Sequence, residues 1–449
     1  MKFLNNITKE TLIICNDNDK NKILKRNKLI NIKVMNLNEF IKKYLFDYDE
    51  NAIIYIMNKY QIKYEIAKMY IENIYLIESK EYNIKKLDLL VQIKNELDDN
   101  NLLNYNTNFK NYLNTIDIIV YGIELHKYEL NLLKNINYKY IEKNYNNYTH
   151  EITYYDTIEE EIEATATNIC NLITKGIDIK NIKLTNVDSS YYNTITRIFN
   201  LFGLKVNIPY QSTLTSYPYV KEFITNLETQ TIDNAVSNLN KDDKLYNEII
   251  NVLNKYIKYD NKELLIYKLE HSYIKSQIYE NAINIIDFIN YPYNEEEHIF
   301  MIGFNDGIIP NSYKDIDYIT DNIKEYVNLD TTKEKNIALK ESILKSINNI
   351  KNLYISYKLK DTKKTYYPSS LCNNFKVNKG TIDSNISYSE TYNKIKLTKS
   401  IDDYIKYGYK NSIFDKLLNN FNINYNSYDN KYTLINRVMD KLTLSYSKM

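Results

Sequence analysis

Apolar positions recur along this chain with two periods, and the switches between them outline its elements. Short apolar runs closed by turn residues predict buried strands at Thr11 to Cys15, Ile32 to Met35 and Ile116 to Val120. Between them, Leu37, Phe40, Ile41, Tyr44 and Leu45 fall at helical spacing, and long helical patterns continue through Lys94. From Glu151 the elements alternate. A strand at Glu151 to Tyr155 is followed by a helix opened by a Thr157/Glu160 capping box, with the buried stripe Ile158, Ile162, Ala166, Ile169 and Ile173 and a stop at Gly176. Ile182 to Val187 reads as the next strand, Ser190 to Phe202 as a helix, and Leu204 to Ile208 as a third strand. Close strand–helix alternation of this kind predicts a parallel sheet.

Pro218 at a helix start and the spacing Leu245, Ile249, Val252, Leu253, Tyr256 and Ile257 predict an all-helical stretch running to Asn290. After Pro292 the strand pattern returns. A buried strand at His298 to Phe304 ends at Gly303 and Gly307, which bracket Asn305 and Asp306, with Pro310 delaying any helix. A polar loop therefore leaves the carboxyl end of a buried strand, the place where open α/β sheets hold ligands, although an ordinary strand and tight turn is written the same way. A helix over Thr332 to Ile350 and a strand over Leu353 to Tyr357 follow. Beyond Cys372 the chain turns polar until Ile401, then offers a helical connector with Tyr404, Phe414, Leu417 and Leu418.

Length and composition narrow the classes. A chain of 449 residues with 44% hydrophobic content has room for two or three folded domains. Its formal net charge of +1 provides no global field for nucleic acid or an anionic membrane, so any DNA contact must come from local clusters. One such cluster is Tyr357 to Ser370, where Lys358, Lys360, Lys363 and Lys364 interleave with Tyr357, Tyr366 and Tyr367. Lysines neutralise phosphates and aromatic rings stack on unpaired bases. A solvated loop in a chain this rich in Lys and Tyr has the same look. Cys15, Cys170 and Cys372 are too scattered for a disulfide framework or a zinc site, and no metal site is expected. The amino terminus has no signal-peptide pattern and no run spans a bilayer, so a cytoplasmic location is expected.

Two features bear on nucleotide chemistry. A phosphate-binding loop needs glycines, so that backbone N–H groups converge on phosphate, then Lys and Ser or Thr. After the first strand this chain instead has NDNDKNKILK, where Asp17 and Asp19 would face a triphosphate, and no GxxxxGK[ST] occurs elsewhere. The acidic run Glu159 to Glu163 reads as a capped helix start, where carboxylates meet the positive end of the dipole, rather than as a metal site.

The segment GFNDGIIP at Gly303 to Pro310 resembles a loop in the second RecA-like domain of UvrD/RecB-type superfamily 1 helicases. The acidic helix EEEIEATATNICNLITKG, the strand and loop LYISYKLKD with YYPSSL, and the terminal LTLSYSKM stand in the matching order. Together they are most similar to the AddB/RexB family, the B subunit of the ATP-dependent helicase/deoxyribonuclease. The resemblance implies an α/β fold of two RecA-like, P-loop NTPase-like parallel-sheet domains with helical insertions. On it, residues 1–150 form a degenerate first domain with a helical insertion. Residues 151–228 and 293–372 form the two halves of the second domain, around a helical insertion at 229–292. A polar linker and helical connector occupy 373–440, and 441–449 open a truncated nuclease domain.

The function implied is that of a non-ATPase, helicase-like subunit of a heterodimeric helicase-nuclease, acting in double-strand break repair by DNA end resection. Its partners would be an AddA-like helicase-nuclease subunit and single-stranded and duplex-end DNA, with no membrane. The DNA-binding residues implied are Asn305, Asp306, Tyr357, Lys358, Lys363, Lys364, Tyr366, Ser369 and Ser370, held by the structural loop residues Gly303, Gly307 and Pro310. Active relatives carry an arginine on the helix before the last strand. Here the corresponding place is near Asn348, and no arginine lies between Arg197 and Arg437. Magnesium and an iron-sulfur cluster belong to full-length family members with their PD-(D/E)XK nuclease domain, so no cofactor and no catalytic residue is expected in this chain. Ser445 and Ser447 look like helix caps with only Lys448 and Met449 after them, so a truncated product without nuclease activity is expected. A scaffold or decayed product that only holds a partner is the alternative. In either case the chain should neither bind nor hydrolyse ATP: calorimetric titration with ATP and magnesium should give no saturable heat, and a saturable isotherm would contradict this.

Overall fold

Strand β1 (Thr11–Ile14) is buried at every position because it lies at the middle of a sheet, between β2 (Ile32–Met35) and β3 (Asp117–Tyr121). Both neighbours pair with it in parallel, with Thr11 in register with Ile32 and with Asp117. The edge strand β4 (Lys139–Ile141) completes the order β2-β1-β3-β4. Residues 46–103 leave this sheet as a helical bundle built around an apolar core. The computed structural model describes residues 2–25, 31–209, 212–274, 278–361, 364–381, 388–411 and 413–422; Lys363 and the segment 441–449 lie outside them.

The second sheet is larger. It contains β5 (Glu151–Thr157), β6 (Ile182–Thr185) and β7 (Val206–Asn207). The chain then leaves through β8 (Ser212–Thr213), builds the helices Pro218–Thr229, Ile232–Ser237, Tyr246–Tyr256 and Lys262–Glu270, and returns through β9 (Tyr273–Ile274). β8 and β9 pair antiparallel and close the neck of this insertion, whose core holds Val220, Phe223, Leu253 and Leu265. Back in the sheet come β10 (Ile283–Ile286), β11 (His298–Met301), β12 (Asn352–Lys360) and β13 (Lys376–Lys379). The order is β13-β5-β12-β11-β6-β10-β7, with every neighbouring pair parallel. The chain is thus an α/β protein of two parallel sheets flanked by helices, the general Rossmann/RecA-like architecture.

Three expectations change. The helical stretch does not run to Asn290: it ends at Glu270, and Ile283–Ile286 is a strand between β6 and β7. A short apolar run has no period of its own, and here open hydrogen-bonding edges on both sides make it a strand. The strand predicted at Leu353 to Tyr357 continues to Lys360, because β5 pairs with it as far as Lys360 and carries Tyr357 and Lys358 into the sheet. The polar text after Cys372 contains β13, an exposed edge strand whose lysines are what such edges carry.

The helix Glu390–Tyr407 lies against the second sheet's helices. Lys396 pairs with the buried carboxylate of Glu163, and the Tyr392 hydroxyl lies 3.2 Å from the same group. Among the described residues no helix is long and apolar enough to cross a membrane. Lys396→Ala strands the Glu163 carboxylate. Because Lys396 keeps some contact with solvent, the expected cost is about 2 kcal/mol, below the fully buried case. It should release the helix Glu390–Tyr407 to protease before the sheets unfold, and wild-type cleavage kinetics would contradict this anchor.

Candidate functional site

At the carboxyl edge of the second sheet, two loops are bound to each other by their backbones. The chain leaves β11 through Gly303, at φ +64°, where an added Cβ would lie 3.1 Å from the Tyr191 ring. Only glycine fits both the left-handed conformation and this approach. Gly307 also has positive φ, +76°, but faces open space, so backbone conformation alone selects it. Asn305 then reaches across. Its amide donates to the carbonyls of Lys358 at 2.8 Å and Tyr367 at 3.0 Å. The Asp306 N–H donates to the Tyr367 carbonyl, and the Ser369 N–H donates to that of Phe304. Asn186, at the end of β6, donates its amide to the Ile302 and Gly303 carbonyls. The Ile309–Pro310 peptide is cis.

Beneath these loops lies the carboxylate of Glu161, fully buried. It accepts hydrogen bonds from the Tyr191 hydroxyl at 2.6 Å, the Gly303 N–H at 2.9 Å and the Ser356 hydroxyl at 2.7 Å. Burial pushes its pKa up, against the pull of those donors and of Lys358. The Lys358 ammonium is buried as well. It sits over the rings of Tyr191 and Tyr366, at 3.7 and 4.4 Å from their centroids, and donates to the Ser190 hydroxyl at 3.2 Å. Burial moves its pKa down. The two ring faces help hold this cation, and the carboxylates of Asp188, Glu161 and Asp361 favour its charged form.

The helix-dipole reading of the acidic run accounts for Glu160, whose N–H donates to the Thr157 hydroxyl and whose carboxylate accepts from the Asp156 N–H in place of the Thr157 N–H of the expected capping box, but not for Glu161 and Glu163, which are buried. Of the expected DNA-binding residues, Asn305, Tyr357, Lys358 and Ser369 are interior. Tyr357 and Lys358 correct the expectation of a surface loop, since the strand extends through both. Asp306, Lys364 and Ser370 are exposed, Tyr366 is half-buried with its hydroxyl on Asp361, and Lys363 is outside the described residues. Tyr367, a member of the Lys/Tyr cluster that is not among the implied DNA-binding residues, is 75% exposed, and its carbonyl accepts from the Asn305 amide and the Asp306 N–H. Its neighbour Pro368, which holds the preceding residue extended, was the available signal.

The first sheet's carboxyl edge is built differently. The helix Asp17–Leu24 starts directly after β1, with the Asn16 side chain accepting from the Asp19 N–H. Asp19, 1% exposed, pairs with Lys143 at 2.9 Å. A cavity of about 470 Å³ separates this edge from the helix Thr332–Asn348, with Lys22, Lys143, Tyr145 and Lys345 on its walls. Among the described residues no group of three or more His, Cys, Asp or Glu is placed to hold a metal ion.

No protein-family model matches this chain, and no curated protein matches it either. The site therefore rests on its own geometry. Glu161→Ala would leave three buried donors without an acceptor and should cost about 3–5 kcal/mol. Glu161→Gln keeps an acceptor and should fold. Because the folded state raises the Glu161 pKa, the native chain binds the extra proton. Wild type should then lose stability relative to Glu161→Gln as pH rises from the ordinary glutamate range toward the elevated folded value. Parallel pH–stability curves from denaturant titration would contradict that sign.

Proposed function

We propose that this chain is a helicase-like B-type subunit of a heterodimeric helicase-nuclease. Two RecA-like halves bind single-stranded DNA, including the strand released at a duplex end, and an AddA-like partner supplies ATP-driven translocation. The observation that carries this reading is the pair of loops fixed to each other at the carboxyl ends of adjacent parallel strands β11 and β12, which offer Tyr367 and Lys364 to solvent. A ring held by its backbone gives a base a stacking surface, and a nearby ammonium gives its phosphate a counter-charge. The order of GFNDGIIP, LYISYKLKD and YYPSSL supports the same assignment.

The proposed lack of ATP turnover is supported by the chemistry at the first sheet. Where phosphates would meet backbone N–H groups after β1, the first turn carries Asp17 and is capped by Asn16, while Asp19, expected to face a triphosphate, is turned inward onto Lys143. The helix Thr332–Asn348 presents no arginine. The subunit's part in end resection is then to hold and guide a strand.

The reading is tested by fluorescence anisotropy with a labelled oligothymidylate. Tyr367→Ala should weaken binding roughly 5- to 100-fold, as expected for removal of one base–aromatic stack. Lys364→Ala should weaken it a few-fold and flatten the salt dependence by roughly one unit. Wild-type affinity and slope in both variants would refute DNA binding at this edge.

A further inference from the structure

The two sheets share no strand, but they share a core. The cluster built by the amino-terminal helices around Ile56, Ile71 and Leu90 also takes in Leu264, from the helices inserted into the second sheet. It takes in Ile319, Ile323 and Leu329 as well, from the connection that follows Pro310. Leu264 is fully buried and Ile319 is 1% exposed, so both are interior residues of a core most of whose members come from the amino-terminal half.

Polar contacts close around this core. Lys268 pairs with Glu50 at 2.7 Å, with its ammonium 5.2 Å from the Tyr64 ring and 4.7 Å from the Tyr256 ring. The Tyr64 N–H donates to Glu263 at 2.8 Å, and its ring lies 4.3 Å from that of Tyr267. Lys86 and Tyr318 exchange two hydrogen bonds: the ammonium donates to the Tyr318 carbonyl and the phenol to the Lys86 carbonyl, each at 3.2 Å. Nearer the sheets, Lys127 pairs with Glu334 at 2.7 Å and the Tyr148 N–H donates to the Asn348 carbonyl at 2.8 Å.

Domains that close about a hinge meet across thin, polar, hydrated surfaces that separate at little cost. A close-packed apolar core separates only by opening cavities. We infer that the shared helical core locks the two halves into one body, so that the strand-binding edge keeps a fixed position against the first sheet and the halves do not open and close in a nucleotide-driven cycle. Only the functional consequence rests on the DNA-binding reading; the lock is a property of the free chain.

The test is a spin-label distance across the halves, between exposed Lys134→Cys and Lys180→Cys. Cys170 is replaced by Ala, and the native thiols of Cys15 and Cys372 are buried, with pKa values pushed up to about 12 and about 11, so they are poor targets for the label. The free chain should give one narrow distance distribution, unchanged by oligothymidylate or by ATP with magnesium. Leu264→Ala should broaden it, and so should Lys268→Met, whose site is less deeply buried and which keeps the variant series usable if the first fails to fold. A bimodal distribution in the free chain, a shift on adding either ligand, or an unchanged narrow distribution in folded Leu264→Ala and Lys268→Met would overturn the lock. Failure of the oligonucleotide to bind at all would count against the DNA-binding reading and leave the free-chain distance to decide this one.

Discussion

A buried carboxylate with no cation in contact is costly unless its lone pairs are filled, and Glu161 fills them from three separate elements. Tyr191 belongs to the helix after β6, Gly303 to the loop after β11, and Ser356 to β12. None of these can shift without leaving a polar group unpaired in the interior. The carboxyl edge of the second sheet is therefore fixed from below, and the Asn305 amide fixes the two loops to each other from above. Rigid support is what a binding edge made of loops requires, because a loop has no ladder of its own to hold its side chains in place.

The same economy recurs at longer range. Glu163 holds the helix Glu390–Tyr407, Asp19 holds the segment after β4, and Glu50 meets Lys268 where the helical insertions touch. Each pair joins segments far apart in sequence and is largely shielded from water. Such pairs add little net stability when complete and are expensive when broken, so they define which segments lie together more than they strengthen the fold. Apolar packing supplies the strength, and the core that includes Leu264 spans both halves of the chain. This packing leaves the two halves none of the thin, polar interface that hinge movement uses.

Much of this was legible in the sequence, for a physical reason. Thr11 to Cys15 and Ile116 to Val120 are apolar because inner strands of a covered parallel sheet are buried on both faces, whereas Ile32 to Met35, at the sheet edge, is only partly covered and keeps Lys33 exposed. The helix Ile158–Thr174 is legible through its cap and stripe. Ile283–Ile286 was not, since its strand state is decided by neighbours distant in the chain, and Lys376–Lys379 was not, since an edge strand needs no apolar code. The inward turn of Glu161 was hidden for a sharper reason: the local helix-start explanation of an acidic run is sufficient by itself. Its partners Tyr191 and Ser356 lie 30 and 195 residues away. Lys358 is covered because the strand runs past Tyr357, while Tyr367, beyond the strand, faces solvent as its place in the Lys/Tyr cluster suggests.

The central claim is that a single strand crosses the carboxyl edge of the second sheet, and photochemical cross-linking tests it most directly. An oligonucleotide carrying 4-thiothymidine at successive positions would be irradiated with the chain, and the adducts mapped by peptide mass spectrometry. The account predicts adducts concentrated at Tyr367 and its neighbours in 364–370, with a second group at 306–308. Adducts confined to the first sheet, or to the amino-terminal ends of the strands, would contradict it.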